Sequence, residues 1–390
     1  MSTESRDSFL VFGSPRIENE EIDQVVEVMR SGWLGTGQRT RTFEEKFAEY
    51  KGVHNAVALN SCTAALHLAC LALNLQPGDE VVTSALTFCA TVNAIIHAGA
   101  SPVLVDIDPT TMNIDPKLVE EKITSRTRAL LPVHFAGRSC EMDELCNLAE
   151  KYNLTIIEDC AHAIETKYKG KSAGTFGNFG CFSFYSTKNI ATGEGGMILI
   201  ADADKAARVR RLSLHGMSRD AWQRFGSSGY KHYDVLEAGF KYNMMDLQAA
   251  IGLQQLLKVN AFHKRREQVW HRYNEAFSSL PVVCPSEPAR DTVHGYHLYT
   301  ILVDEQVTRI SRDNFLEEMT REKIGVGVHY RSLPEHTYYQ QQYAWKPEDY
   351  PVAFSIGKTT VSLPLSAKLS DQDVEDVIGA VRRVLLKTIS

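Results

Sequence analysis

The sequence predicts an α/β protein: a large domain with a mostly parallel central sheet flanked by helices, followed by a smaller α+β domain. Three observations predict it. Between residues 52 and 200, short β-rich runs alternate with helix-patterned segments, the pattern of βα units around a parallel sheet. After about residue 245 the texture changes to long amphipathic helices. At 390 residues, and with ~150 residues per domain as a guide, the chain is long enough for two domains.

Taken in order, the spacing predicts strands over Ala56–Leu59, Glu80–Thr83, Pro102–Ile107, Ala129–His134 and Thr155–Glu158. Helices are expected over Thr63–Leu73, around Glu120–Ile123, and over Met142–Tyr152. Two further apolar runs, Phe179–Tyr185 and Gly196–Ile200, stand at hairpin-like spacing across a Gly-rich connection and complete a large domain spanning 1–245. In the second domain, 246–390, Asp246–Lys258 and Phe262–Leu280 read as two helices and Pro281–Pro288 as a break. Strands are expected over Tyr296–Val303, Val326–Tyr330 and Val361–Leu363. Ser370 followed by Asp373, ahead of Val374, Val377, Ile378 and Val381, is a capping box on a closing helix.

Hydrophobic residues at 44% and charged residues at 23% are ordinary globular values. No apolar run approaches the ~18 residues a membrane span needs. The 42 Lys+Arg against 48 Asp+Glu leave a net charge of −6, which argues against nucleic acid or anionic lipid as a partner and still permits a local basic pocket. The eight cysteines contain no Cys-x-x-Cys pair and are expected to be reduced core thiols. Met1–Asp7 is polar with no apolar signal core, so the cytoplasm is the expected compartment.

The most informative stretch is Thr155–His162, an apolar strand ending in carboxylates, followed by Gly180–Lys188. Ligands of open α/β sheets bind beyond the carboxyl ends of strands, which places Asp159 at the mouth of a site and Lys188 at a second strand end beside the turn Thr192–Gly196. A carboxylate and a lysine in one cleft are most often a structural ion pair. The company around this pair suggests more. Thr63 and Ala64 open a helix directly after a strand, where free N–H groups suit a phosphate, although Ser61 or Thr63 would equally serve as an ordinary N-cap. Pyridoxal phosphate needs a lysine for its Schiff base, an acid for its ring nitrogen, a phosphate cradle and an apolar face, and each has a candidate.

From about Ser31 to Leu386 the chain resembles the DegT/DnrJ/EryC1/StrS family of pyridoxal-phosphate sugar aminotransferases. The resemblance runs through Gly32–Gly35, Ser61–Leu66, Glu158–His162, Phe182–Lys188, Gly193–Gly196, Gly239–Asp246 and Ser362–Leu365. It implies fold type I, with Lys188 as the Schiff-base lysine and Asp159 as the partner of the pyridine nitrogen. By the same resemblance His162 meets the ring 3-oxygen and Phe88 stacks on the ring. Thr63, Ala64 and Ser183 then hold the phosphate, and Asn243, with Lys241 as a second candidate, reaches the cofactor phosphate of the other subunit. Each active site would thus be shared within a homodimer. A lysine at 188, where dehydratases of the family carry histidine, points to transamination.

For the substrate, His215–Arg224 resembles members that aminate C4 of a 4-keto-6-deoxy sugar on a uridine diphosphate carrier, with glutamate as amino donor. Arg219, Trp222 and Arg224 are the contacts implied there, and each would equally suit the surface. His329 and Tyr330 are further substrate candidates, although Ser332 and Pro334 depart from the usual pattern after them. A dTDP-linked 3-keto or 4-keto sugar is the alternative. Three rival classes are weaker. Gly35-Thr-Gly37 lacks a third glycine at Thr40 and a preceding strand for a dinucleotide, Cys160 and His162 lack a second pair for zinc, and a non-catalytic relative would not need both Lys188 and Asp159.

Overall fold

The computed structural model describes residues 6–218 and 232–389. Twelve strands are present among them: β1 Ala56–Leu59, β2 Glu80–Ser84, β3 Ser101–Val105, β4 Thr127–Leu131, β5 Thr155–Asp159, β6 Lys167–Tyr168, β7 Lys171–Ser172, β8 Phe179–Ser183, β9 Gly196–Ile200, β10 Thr292–Val293, β11 Tyr299–Leu302 and β12 Thr360–Leu363. Seven form the central sheet in the order β1-β9-β8-β5-β4-β2-β3. All neighbours are parallel except at β9, which runs antiparallel to β1 and to β8.

The strands read as near-continuous apolar runs because helices cover both faces. Alternation along each strand sends side chains to opposite layers. Ile157, Cys181 and Ile198 pack under the helix Cys62–Leu71, while Phe182, Phe184, Met197 and Leu199 meet Phe43 and Phe47 on the other side. These four phenylalanines are fully buried, and truncating any one to alanine costs about 3–5 kcal/mol.

A second core surrounds the antiparallel pair β11 and β12, with Trp270, Tyr273, Phe315 and Val377 buried in it. Two expectations are corrected here. The segments Asp246–Lys258 and Phe262–Leu280 are one helix, Asp246–Phe277, because the junction Val259-Asn260-Ala261 holds no glycine or proline to interrupt it. Val326–Tyr330 is not a strand; it makes a single bridge, Gly327 to Ser362, after which His329 meets Ser362 and Phe12 while Tyr330 reaches His162 of the large domain. The capping box is present, with Ser370 Oγ accepting from the Asp373 N–H at 3.1 Å and Asp373 accepting from the Ser370 N–H at 2.9 Å.

One clasp ties the amino-terminal arm to this frame. The helix Gln38–Lys51 starts at Gly37, which has no side chain to cap it. Asp246 supplies the missing acceptor: its buried carboxylate takes the N–H of Gly37 at 2.7 Å and of Thr40 at 2.9 Å, and the Thr40 hydroxyl at 2.6 Å.

Candidate active site

Glu158 and Asp159 end β5 and point to opposite sides, so two adjacent carboxylates do different work. Glu158 accepts the N–H groups of Gly174, Phe176 and Gly177 at 2.7–2.8 Å and faces His134 Nε2 at 3.1 Å. It is a buried anchor for the turn before β8. His134, Glu158 and Cys160 bring ligand atoms within 4.8 Å of one another, but the backbone donors on Glu158 already satisfy that carboxylate. Asp159 is 4% exposed. It accepts from the Thr91 hydroxyl at 2.9 Å and from the Ala161 N–H at 3.1 Å. Burial pushes its carboxyl up from the usual range, opposed by these two donors and by the charge of Lys188.

Lys188 follows β8 in a turn closed by its own N–H on the Tyr185 carbonyl at 2.8 Å. Its Nζ lies 3.4 Å from His297 Nε2. Desolvation pulls the amine down to about 8, although Cys62 and Asp159 favour its charged form. Three imidazoles surround it. Burial, then the charge of Lys188, holds His162 and His297 well below the ordinary histidine range and takes His329 to about 3. All three are neutral at physiological pH.

His162 Nδ1 accepts the Ala136 N–H at 3.2 Å. Its proton is therefore on Nε2, which donates to the Tyr330 hydroxyl oxygen at 3.1 Å. Phe88 is 56% exposed, with its ring 5.8 Å from that of Tyr330. His329 Nδ1 meets Ser362 Oγ at 2.8 Å, and its ring stacks on Phe12.

The helix after β1 begins at Cys62, one residue earlier than expected, with Ser61 as N-cap accepting the Ala64 N–H at 3.1 Å. The Ala64 donor is thus spent on the cap, whereas Thr63 is exposed on the first turn. Gly196 packs so closely on this turn that a Cβ there would lie 2.4 Å from the Ser61 carbonyl carbon. Ser183 ends β8, buried beside Gly196 in the strand register. Asn243 bridges to Leu59; its side chain accepts from Lys241 Nζ at 2.7 Å and donates to Thr36 Oγ1 at 2.5 Å. Arg219, Trp222 and Arg224 lie outside the described residues.

Thus Asp159, His162, Lys188, Tyr330 and His329 converge, with Phe88 at the rim. Sequence reasoning missed Thr91 and His297. Thr87 and Thr91, 2.9 Å apart, are spaced i and i+4 on a helix start next to Phe88, a usable signal. His297 arrives from a distant part of the chain and has none.

This donor set fits pyridoxal phosphate. Both hydrogen bonds to the buried carboxylate of Asp159 come from neutral donors, so a protonated ring nitrogen would supply the cation it lacks. The turn beyond the neighbouring strand offers an amine, and the helix start at Ser61 suits a phosphate. The model of the DegT/DnrJ/EryC1/StrS aminotransferase family matches residues 15–382. The chain belongs to this family.

The sugar aminotransferase is 46% identical over 383 residues, 98% of each chain, to the spore coat polysaccharide biosynthesis protein SpsC of Bacillus subtilis (strain 168). Among solved structures, Spr1654 of Streptococcus pneumoniae in its PLP form is 32% identical with a TM-score of 0.90, covering 98% of this chain and 100% of that one. PseC of Helicobacter pylori, an aminotransferase involved in the biosynthesis of pseudoaminic acid, is 27% identical with a TM-score of 0.90, over 98% and 100%. The enzyme is a transaminase of fold type I that uses pyridoxal phosphate and acts on a sugar. No helix among its described residues is long and apolar enough to cross a membrane.

Proposed function

We propose that the enzyme aminates C4 of a UDP-linked 4-keto-6-deoxy hexose, an N-acetylated one, with glutamate as amino donor. The observation that carries the chemistry is Asp159 at the end of β5 and Lys188 in the turn beyond β8, two strands that pair side by side through Asp159 and Cys181. Lys188 would hold the cofactor and, as an amine of depressed pKa, would take a proton from the donor carbon and return one to the sugar carbon. When bound, the cofactor supplies the electron sink. Asp159 would keep its ring nitrogen protonated, His162, bonded to Tyr330, would meet its 3-oxygen, and Phe88 would stack on the ring. Thr63 and Ser183 would hold the phosphate, with Ala64 once its N–H turns from Ser61 Oγ, joined by Asn243 of a second subunit in a homodimer.

An anionic carrier draws support from a cavity of about 690 Å³ in which Arg312, Arg331 and Lys358 outnumber Asp313 and Glu335, with Phe88 and Tyr330 on its wall. His329, Arg219, Trp222 and Arg224 are assigned to the same substrate. Residues 1–245 form the cofactor domain and 246–390 the smaller one, and the protein works in the cytoplasm. Comparing kcat/KM for matched UDP and dTDP 4-keto sugars tests this reading. A clear preference for dTDP overturns the carrier, and an amine appearing at C3 by NMR overturns the position.

A further inference from the structure

His297 stands at the end of a buried chain of side chains whose hydrogen bonds leave it one protonation pattern. The Asn189 amide nitrogen donates to Glu165 Oε2 at 2.7 Å and to the Gly295 carbonyl at 2.8 Å. Both partners are acceptors, so the amide cannot be flipped, and Asn189 Oδ1 must face His297 Nδ1 at 3.1 Å. Two oxygens or two lone pairs would repel there, so His297 Nδ1 carries the proton. Glu165 is locked in turn by Arg266, which pairs with it and donates to the Tyr296 carbonyl at 3.1 Å. Arg266, Glu165, Asn189 and His297 are each less than a tenth exposed.

With Nδ1 protonated in a neutral ring, Nε2 presents a lone pair, and the group 3.4 Å in front of it is Lys188 Nζ. We propose that His297 is the positioning residue of Lys188: it accepts one Nζ–H, which turns the amine's own lone pair toward the cleft and supports the ammonium each time the lysine takes a proton. This rests on Lys188 being the reacting lysine. Arg266 and Glu165 never touch Lys188; they set which nitrogen of His297 can.

The groups whose charge bears on Lys188 are Cys62 and Asp159, which favour its ammonium. His162, His297 and His329 feel its charge in return. Among the three imidazoles, His162 turns its nitrogens to Ala136 and Tyr330 and His329 turns Nδ1 to Ser362. His297 is the one bonded to Nζ. Losing its lone pair withdraws support from the charged form and lowers the lysine's titration midpoint.

The test measures Lys188 itself in the cofactor-free full chain, by competitive acetylation across neutral to alkaline pH and mass spectrometry of the Lys188 peptide. His297→Asn retains an N–H for Asn189 and removes the acceptor from Lys188; His297→Gln can restore an acceptor there. The expected result is a midpoint near 8 for the unmodified protein, lower by about one unit in H297N and recovered in H297Q, with kcat down about tenfold in H297N and the donor KM unchanged. An unchanged midpoint in folded H297N overturns the proposal whatever turnover does. If H297N fails to fold, Asn189→Ser, which frees the His297 tautomer without touching Lys188, must lower the same midpoint. Borohydride reduction of the cofactor-loaded protein separately tests whether Lys188 is the reacting lysine, so the two ideas fail by different measurements.

Discussion

The Thr91 hydroxyl donates to Asp159 Oδ2 at 2.9 Å, so a helix that begins beside Phe88 steadies the carboxylate at the end of β5. The donor favours the ionised acid, and burial opposes it. Thr91→Val removes the donor, and the Asp159 carboxyl moves further up. The acidic limb of the kcat profile should shift to higher pH, with turnover lowered about tenfold at neutral pH and partly recovered in alkali. A superimposable pH profile would refute this.

Asp159→Asn should act on rate far more than on affinity, because an amide cannot hold the ring nitrogen protonated. A loss of at least ~100-fold in kcat is expected, on the scale of one well-placed electrostatic partner. Single-turnover kinetics with glutamate measure it, and near-normal turnover would remove Asp159 from that role.

Lys188 also sets a pH dependence of stability. Its folded midpoint, about 8, lies below the ordinary 10.5, so the unfolded chain binds more protons between these values and stability rises with pH through that window. In the cofactor-free protein Lys188→Met should therefore raise Tm at neutral pH, with the advantage shrinking above pH 8 and gone near 10.5. Lys51, a buried lysine also drawn down to about 8 by desolvation, titrates alike in both proteins and cancels. Differential scanning calorimetry at several pH values decides it; a constant offset would contradict the argument.

If Asn243 serves the neighbouring subunit, mixing Lys188→Ala with an inactive Asn243→Ala should give heterodimers with one intact site, since one chain supplies Lys188 and the other Asn243. Recovered turnover, up to half of that expected for two sites, is the predicted outcome once subunits have exchanged. Verified heterodimers without activity would place Asn243 in its own chain's site.

Much of the large sheet was legible because parallel strands buried on both faces are short apolar runs with little ambiguity. Ala56–Leu59 and Gly196–Ile200 agree to the residue with the structure. Val326–Tyr330 has the same β-branched texture, but its side chains are drawn to the cleft and to Phe12, and tertiary contacts prevailed over propensity. In the site, Asp159 was legible as a candidate because it ends an apolar strand, whereas Lys188 stood out through the run Phe182–Lys188 and lies in the turn beyond β8, which stops at Ser183. His297 was not, since its meaning depends on Asn189, Glu165 and Arg266, which only folding brings together.

The lone antiparallel strand also has a bearing on how the molecule comes into being. In the central sheet β1 has β9 as its neighbour, and the turn at Ser61 lies against the backbone of Gly196. As the chain leaves the ribosome, β1 and the helix start behind it must wait until Gly196–Ile200 has been made. The same closing event brings Ser183, paired with Gly196, up to that turn. If this turn and Ser183 hold the phosphate, nascent chains halted before residue 196 would still lack a place for it, and the cofactor would be captured only after the sheet is sealed.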